Sequence, residues 1–176
     1  MQSETVKKLE KIRQISSALR TACKVLLVLM GLLFIAGSAG IFVGSMGVII
    51  RFFDVTIPVA LLTLPARLGL IVLLAVSTGV LAKGLYHLDR LFGLYANGDV
   101  FTVQTAVHIR QLGLTAIFWT GVHILWPITE IVLSGAPAPH SFALQLDSLF
   151  IGIAIIAVSW FMDAAAEIRA ENDLTI

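Results

Sequence analysis

The segment LFGLYANGDVFTVQTAVHIRQLG, residues 91–113, is the one long stretch of mixed polarity that lies between two hydrophobic runs. The helical pattern before it continues as far as Asn97-Gly98, a pair that often ends a helix because glycine adopts the left-handed conformation without strain. Either Asp99 or Thr102 then supplies a side-chain oxygen for the free N–H groups that begin a new helix. The segment therefore predicts the tip of an antiparallel helical hairpin, at residues 91–110.

The hydrophobic runs on both sides of this tip predict an integral membrane protein. Hydrophobic residues make up 58% of the 176 residues and charged residues 13%, whereas roughly 25% of residues are charged in soluble domains. Predicted spans cover about residues 24–50, 67–88, 111–133 and 145–165, and residues 51–66 are interpreted as an apolar interfacial loop. We expect one domain, residues 1–176, with an all-α fold: a four-helix membrane bundle whose helices 2 and 3 form a hairpin that extends into the cytoplasm.

Basic residues predict how this bundle is oriented. An amphipathic helix over residues 3–20 precedes the first span, and we expect it to run on into that span. Eight basic residues lie in this helix or toward the hairpin tip, against two on the other side, Arg51 and Arg67. The eight are Lys7, Lys8, Lys11, Arg13, Arg20, Lys83, Arg90 and Arg110. By the positive-inside rule, both termini are expected in the cytoplasm. The tail, residues 166–176, then extends helix 4 to the level of the tip.

Glycines in the first span form one small-residue face. They are Gly37, Gly40, Gly44 and Gly47, at spacings of three, four and three residues. Such a face lets another helix approach closely. The partner helix is either another helix of this chain or one in a second copy or a different subunit.

Polar residues within the apolar runs suggest two intramembrane sites. Helix 3 places Trp119, His123, Trp126 and Glu130 on one face by their spacing of four, three and four residues, and Asp147 is expected nearby outside the membrane. Ionisable groups at such depths need a partner or water, so this set is either a ligand or proton site or simply an interfacial belt with a hydrogen-bonded histidine. Separately, Lys83 and Asp163 are expected at the same depth and are predicted to form a charge pair.

The sequence favours a protein that is not an enzyme. We find no nucleophile beside a base, no paired carboxylates on one helix and no phosphate-binding or nucleic-acid-reading motif, so neither catalytic residues nor direct nucleic-acid binding are expected. The single cysteine, Cys23, excludes an intramolecular disulfide and gives no metal-binding or redox pattern. No metal and no cofactor are predicted.

Two motifs in this sequence resemble a known family. The segment LFGLYANGDVFTVQTAVHIRQLG is similar to a pattern LF-x-x-Tyr-x-x-Gly-x-Phe-Thr followed by Ile-Arg-x-Leu-Gly, and the ending EIRAENDLTI is similar to a Glu-Asn-Asp-Leu-Thr-Ile/Val terminus. Together they resemble the bacterial four-span membrane proteins of unknown function called DUF2975. The resemblance implies the bacterial inner membrane as the location and carries over no catalytic residue. It also implies a partner, because family members are often encoded beside a small helix-turn-helix regulator.

The leading hypothesis is therefore a regulator or anchor that binds a cytoplasmic partner protein, such as a helix-turn-helix transcription factor, through the tip and the tail. The predicted partner surface comprises Tyr95, Asn97, Gly98, Asp99, Phe101, Thr102, Arg110, Glu171, Asn172, Asp173, Leu174 and Thr175. A purely structural alternative has the tail cap the tip, with Asp173 or Glu171 meeting Arg110 or Arg90. The other hypotheses are a sensor or transport-related bundle that binds a small molecule, lipid or ion at His123 and Glu130, and an accessory subunit of a larger membrane complex.

Overall fold

A computed structural model describes residues 2–43, 49–52, 55–58, 62–98, 102–134 and 147–173. Four helices account for most of them: α1 Gln2–Val43, α2 Leu64–Asn97, α3 Val103–Ser134 and α4 Asp147–Asp173. Two four-residue strands, β1 Ile49–Phe52 and β2 Val55–Pro58, lie between α1 and α2. The all-α, four-helix fold predicted from the hydrophobic runs is confirmed.

The connection between α1 and α2 differs from the prediction. Part of the predicted loop at residues 51–66 is an antiparallel hairpin, in which Ile49 faces Pro58 and Phe52 faces Val55. Isoleucine, valine, threonine and phenylalanine dominate both strands, and these residues favour extended backbone. α1 is described as far as Val43, and residues 49 and 50, which were predicted to end the first span, belong to β1. The predicted interfacial loop therefore contains paired strand residues at 51–52 and 55–58.

The helices are longer than a membrane crossing requires. Three ranges within the described residues are long and apolar enough to cross: Arg13–Val43, Leu64–Asn97 and Asp147–Ile168. At 1.5 Å per residue, the 34 residues of α2 extend about 51 Å, whereas the hydrocarbon core is about 30 Å thick. α1 is one continuous helix of 42 residues, so the amphipathic segment does run on into the first span, as expected. A crossing by α3 stays a prediction from its uncharged residues 111–129.

Large apolar side chains face outward along the helices. Val28 on α1 and Phe161 on α4, for example, are 65% and 77% exposed. A soluble protein rarely exposes apolar surface so continuously, because water makes it costly. These faces suit contact with lipid chains.

Each helix packs mainly against its neighbours in the sequence. α2 contacts α1 and α3, and α4 contacts α3. Arg13 of α1 reaches Ala96 at the end of α2, and Arg110 near the start of α3 reaches Asp163 late in α4. The N-terminal half of α1, the α2–α3 turn and the C-terminal half of α4 therefore lie at one end of the bundle, which we call the turn end.

A small buried core lies toward the opposite end. Ile41 of α1, Leu70 of α2, and Val122 and Trp126 of α3 are its buried members. The Trp126 indole N–H donates a hydrogen bond to Ser77 Oγ at 3.0 Å. Because this bond satisfies the one polar atom of the indole, Trp126 can be buried at little cost.

α3 and α4 approach most closely where two glycines meet. A Cβ atom added to Gly113 would lie 2.7 Å from the Gly152 carbonyl oxygen, and one added to Gly152 would lie 2.7 Å from the Gly113 oxygen. Backbones this close are typical of membrane helices that pack through small residues. The crossing therefore depends on both positions lacking a side chain.

Candidate functional site

The α2–α3 turn is closed by a cap on each side. Gly98 has a φ of 93°, and its backbone N–H donates to the Tyr95 carbonyl at 3.1 Å, which confirms the predicted left-handed stop. Thr102 caps α3: its Oγ1 accepts from the Thr105 backbone N–H at 3.3 Å and lies 3.0 Å from the Thr105 hydroxyl. The turn is thus anchored to both helices, while Asn97 and Gly98 are exposed to solvent.

Polar contacts join α1 to α2 just beneath the turn. Arg13 Nε donates to the Ala96 carbonyl oxygen at 2.8 Å. One helical repeat further along, Arg20 Nε lies 3.5 Å from Asp89 Oδ1. At that distance the two groups form an ion pair. Both atoms are buried, and neither makes a hydrogen bond with a described residue. The arginine therefore keeps donor capacity unused by the fold.

A pair of histidines joins α2 to α3 at the same end. His87 Nδ1 and His108 Nδ1 are 3.1 Å apart, a distance at which one ring donates and the other accepts. Tyr86 packs edge-on against His87, and the Arg90 guanidinium carbon lies 5.3 Å from the centre of the Tyr86 ring. Burial, and secondarily the Arg90 charge, lower the pKa of His108 below 6.5.

A polar cleft opens between α1, α2 and α3 beside these contacts. Its volume is about 200 Å³, and the described residues that line it are Arg20, Arg90, Gly93, Leu94, Asn97, Gln104 and His108. Two guanidinium groups from different helices face one space, and none of these lining residues is acidic. The described lining presents N–H donors from arginine and amide side chains, a composition suited to a negatively charged group.

The structure brings some of the predicted partner surface together. Tyr95, Asn97, Gly98 and Thr102 lie at the turn. α4 continues as a helix through Glu171, Asn172 and Asp173, at the same end of the bundle. Asp99, Phe101, Leu174 and Thr175 lie outside the described residues, so the predicted contact between tip and tail side chains stays a prediction.

The ion pair predicted between Lys83 and Asp163 does not form. Asp163 accepts a hydrogen bond from Arg110 and forms an ion pair with it, while Lys83 is exposed. The reason is that α4 packs against α3 rather than against α2. Arg110 is therefore engaged with α4, while its side chain stays 42% exposed, and its place in the partner surface stays a prediction.

Three residues of the predicted intramembrane site are connected through the buried core, because Trp119 packs against the cluster that contains Trp126. Trp126 belongs to the buried core through Ser77, and His123 packs edge-to-face on Trp119, with ring centres 6.0 Å apart. Asp147 is exposed at the first residue of α4. The Glu130 side chain lies outside the described residues. Among those that are described, no three His, Cys, Asp or Glu side chains are grouped in a way that could hold a metal ion.

Gly37, a member of the predicted glycine face of α1, packs against another helix of the same chain. A Cβ at Gly37 would lie 3.4 Å from Leu74 Cδ2 of α2, so this glycine faces an intramolecular neighbour. Gly44 and Gly47 lie outside the described residues. Oligomerisation through Gly37, Gly40, Gly44 and Gly47 stays a prediction.

Sequence reasoning missed the histidine pair and the Gly113–Gly152 contact. A signal for the first was present, since His87 and His108 each lie ten residues from the Asn97-Gly98 turn. Equal distances from a tight turn bring residues to the same level in an antiparallel hairpin. The second carried no such signal, because the link between α3 and α4 is long.

Comparison with known proteins finds a family match for the part of the chain that contains α2, α3 and α4. Residues 62–176 match a family described as "Protein of unknown function (DUF2975)". No curated protein and no solved structure matches the chain. The matched range contains α2, α3, α4, the turn, the histidine pair and the Gly113–Gly152 crossing, and leaves α1 and the β-hairpin outside. Because that range is well over half of the 176 residues, the chain belongs to the DUF2975 family of proteins of unknown function.

Proposed function

We propose that this protein is a non-enzymatic regulator or anchor in the bacterial inner membrane, which binds a cytoplasmic partner protein at its turn end. The observation that carries the proposal is that the described residues on both sides of the tip are fixed by caps and by a contact with α1. Gly98 and Thr102 cap its two helices, and Arg13 fixes the end of α2 to α1. A preorganised surface loses little entropy on binding, which favours its use in recognition.

The orientation rests on the charge distribution. α1 carries Lys7, Lys8, Lys11 and Arg13 in its N-terminal part, and the same end of the bundle holds Arg20, Arg90 and Arg110. The positive-inside rule assigns this end to the cytoplasm, with both termini. A reporter that is active only outside the cell, fused after Gly98, is expected to be silent. Activity of that fusion would refute the orientation.

The partner we propose is the small helix-turn-helix regulator that the family resemblance implies. Support for the tip and tail as its binding surface comes from their position at one end of the bundle and from their lack of catalytic groups. The ligand site at His123 and the accessory-subunit hypothesis have weaker support. Trp126 is committed to the core, and Gly37 contacts α2 within the chain.

Co-purification of the tagged regulator with four forms of the membrane protein tests this proposal. The forms are the full chain, a chain truncated after Arg169, a Val103→Asp variant and an Asp147→Asn control. Val103 is 60% exposed at the first residue of α3, where an aspartate favours the helix and changes the surface. We expect recovery with the full chain and the control only. Equal recovery with all four forms would refute the role of tip and tail.

A further inference from the structure

The polar cleft at the turn end holds cationic donors that the fold leaves unused. Arg20 Nε forms an ion pair with Asp89 Oδ1 at 3.5 Å without a hydrogen bond, and the Arg20 side chain is 43% exposed and lines the cleft. A guanidinium has five N–H donors in a planar fork that matches carboxylate and phosphate oxygens. The ion pair with Asp89 involves Nε, so the remaining guanidinium donors of Arg20 are available to an acceptor in the cleft.

The second guanidinium is held in place by an aromatic ring. Arg90 lies over Tyr86 with 5.3 Å between the guanidinium carbon and the ring centre, a cation–π geometry that fixes the plane of the cation while leaving its N–H groups free. No ion pair to Arg90 exists within the described part of the chain. Arg20 and Arg90 thus approach one space from α1 and α2, with Asn97 and Gln104 adding amide donors.

Gly93 makes room for this arrangement. A Cβ added there would lie 3.5 Å from Arg20 Cζ and 3.7 Å from its Nε. The Arg20 guanidinium therefore rests against the bare backbone of α2. A larger side chain at this position would enter the cleft and displace the guanidinium.

The position of the cleft along the helices indicates its ligand. Arg20 precedes the uncharged run 25–50 by five residues, so the cleft lies near the start of the apolar part of α1. Phosphate groups of anionic lipids lie at this level, and soluble phosphates reach it from the water. We propose that the cleft formed by Arg20, Arg90, Asn97 and Gln104 binds an anionic phosphate group. This inference is independent of the partner proposed above.

The test compares two sources of phosphate on the full chain. In the first arm, native mass spectrometry measures retention of phosphatidylglycerol against phosphatidylcholine after release from mixed nanodiscs. In the second, calorimetry measures binding of inorganic phosphate to the protein in phosphatidylcholine nanodiscs. Retention of one phosphatidylglycerol indicates a lipid source, and heat from inorganic phosphate indicates a soluble source. The absence of both signals from the wild-type protein would overturn the proposal.

Variants determine whether the signal comes from the cleft. We expect Arg90→Gln and Arg20→Gln each to weaken binding about tenfold, because each removes a charge-assisted hydrogen bond. Gly93→Leu is expected to abolish binding while favouring the helix. Lys24→Gln is the matched control, since Lys24 is exposed on α1 one turn beyond Arg20 and does not line the cleft.

Surface attraction alone would affect the control as strongly as the cleft variants. Equal losses in Arg90→Gln and Lys24→Gln therefore overturn the assignment to the cleft. Circular dichroism and gel filtration check that each variant folds. Arg20→Gln leaves Asp89 without its ion-pair partner and can therefore fail to fold. In that case Arg90→Gln alone tests the assignment, since Arg90 forms no ion pair with a described carboxylate.

Discussion

Replacing Gly113 by alanine is expected to push α3 away from α4. The new Cβ would lie 2.7 Å from the Gly152 carbonyl oxygen and 2.7 Å from Ile156 Cγ1. The isoleucine side chain can rotate, but the carbonyl oxygen moves only with its helix. Ordinary contact begins at about 3.4 Å, so the two backbones must separate by roughly 0.7 Å at this point.

The expected loss of stability follows from two opposing terms. Overpacking of a tight contact costs about 1–3 kcal/mol, and exchanging glycine for alanine within a helix returns about 0.5–1 kcal/mol. These terms differ by about 0–2.5 kcal/mol, and Gly113→Ala is therefore expected to lose about 1 kcal/mol. Gly121→Ala on the same helix has no atom within 4 Å of its new Cβ and is expected to gain about 0.5–1 kcal/mol.

Unfolding in mixed micelles of a mild detergent and sodium dodecyl sulfate, followed by tryptophan fluorescence, measures both free energies. The difference between the two variants isolates the contact, because the helix-propensity term is common to them. Gly152→Ala is expected to behave as Gly113→Ala does, since the contact is reciprocal. Equal stability of Gly113→Ala and Gly121→Ala would refute the close crossing.

Three further predictions concern polar contacts. Asp163→Asn is expected to cost about 1 kcal/mol or less in the same unfolding assay, because its pair with Arg110 is partly exposed; a loss of several kcal/mol would mean a desolvated pair. The pKa of His108 is lowered in the folded state, so the unfolded chain binds a proton at higher pH and the free energy of unfolding falls as the pH drops below about 6.5. His108→Asn is expected to reduce this dependence of the free energy of unfolding on pH, and an unchanged dependence would contradict the prediction. Ser77→Ala is expected to cost about 0.6 kcal/mol, the mean for hydrogen bonds between membrane helices, and none in a Trp126→Phe background; equal costs in both would show that the bond contributes nothing.

The helices and the hairpin turn were predictable because their determinants are local. Uncharged runs mark the spans, and Asn97-Gly98 followed by Thr102 ends one helix and begins the next. The strand residues 49–52 and 55–58 were assigned to the end of the first span and to a loop, because short apolar stretches are compatible with several structures and only pairing decides between them.

The partners of individual side chains were less predictable. Counting residues along the predicted spans placed Lys83 and Asp163 at the same depth in the membrane. Depth does not determine which helices are adjacent. Asp163 meets Arg110 because α4 packs on α3. The cleft likewise depends on the angular position of Arg20 on α1 relative to Arg90 on α2, which sequence spacing within one helix does not determine.

Photocrosslinking in living cells from the exposed tip decides whether the turn end holds a partner. A photoreactive amino acid replaces Asn97, which is exposed at the turn, and in a separate strain Val28, which is exposed on the apolar face of α1. We predict one protein product from position 97, containing the helix-turn-helix regulator, and none of it from position 28. Products that are the same from both positions, or no protein product from position 97, would contradict a partner-binding role for the tip.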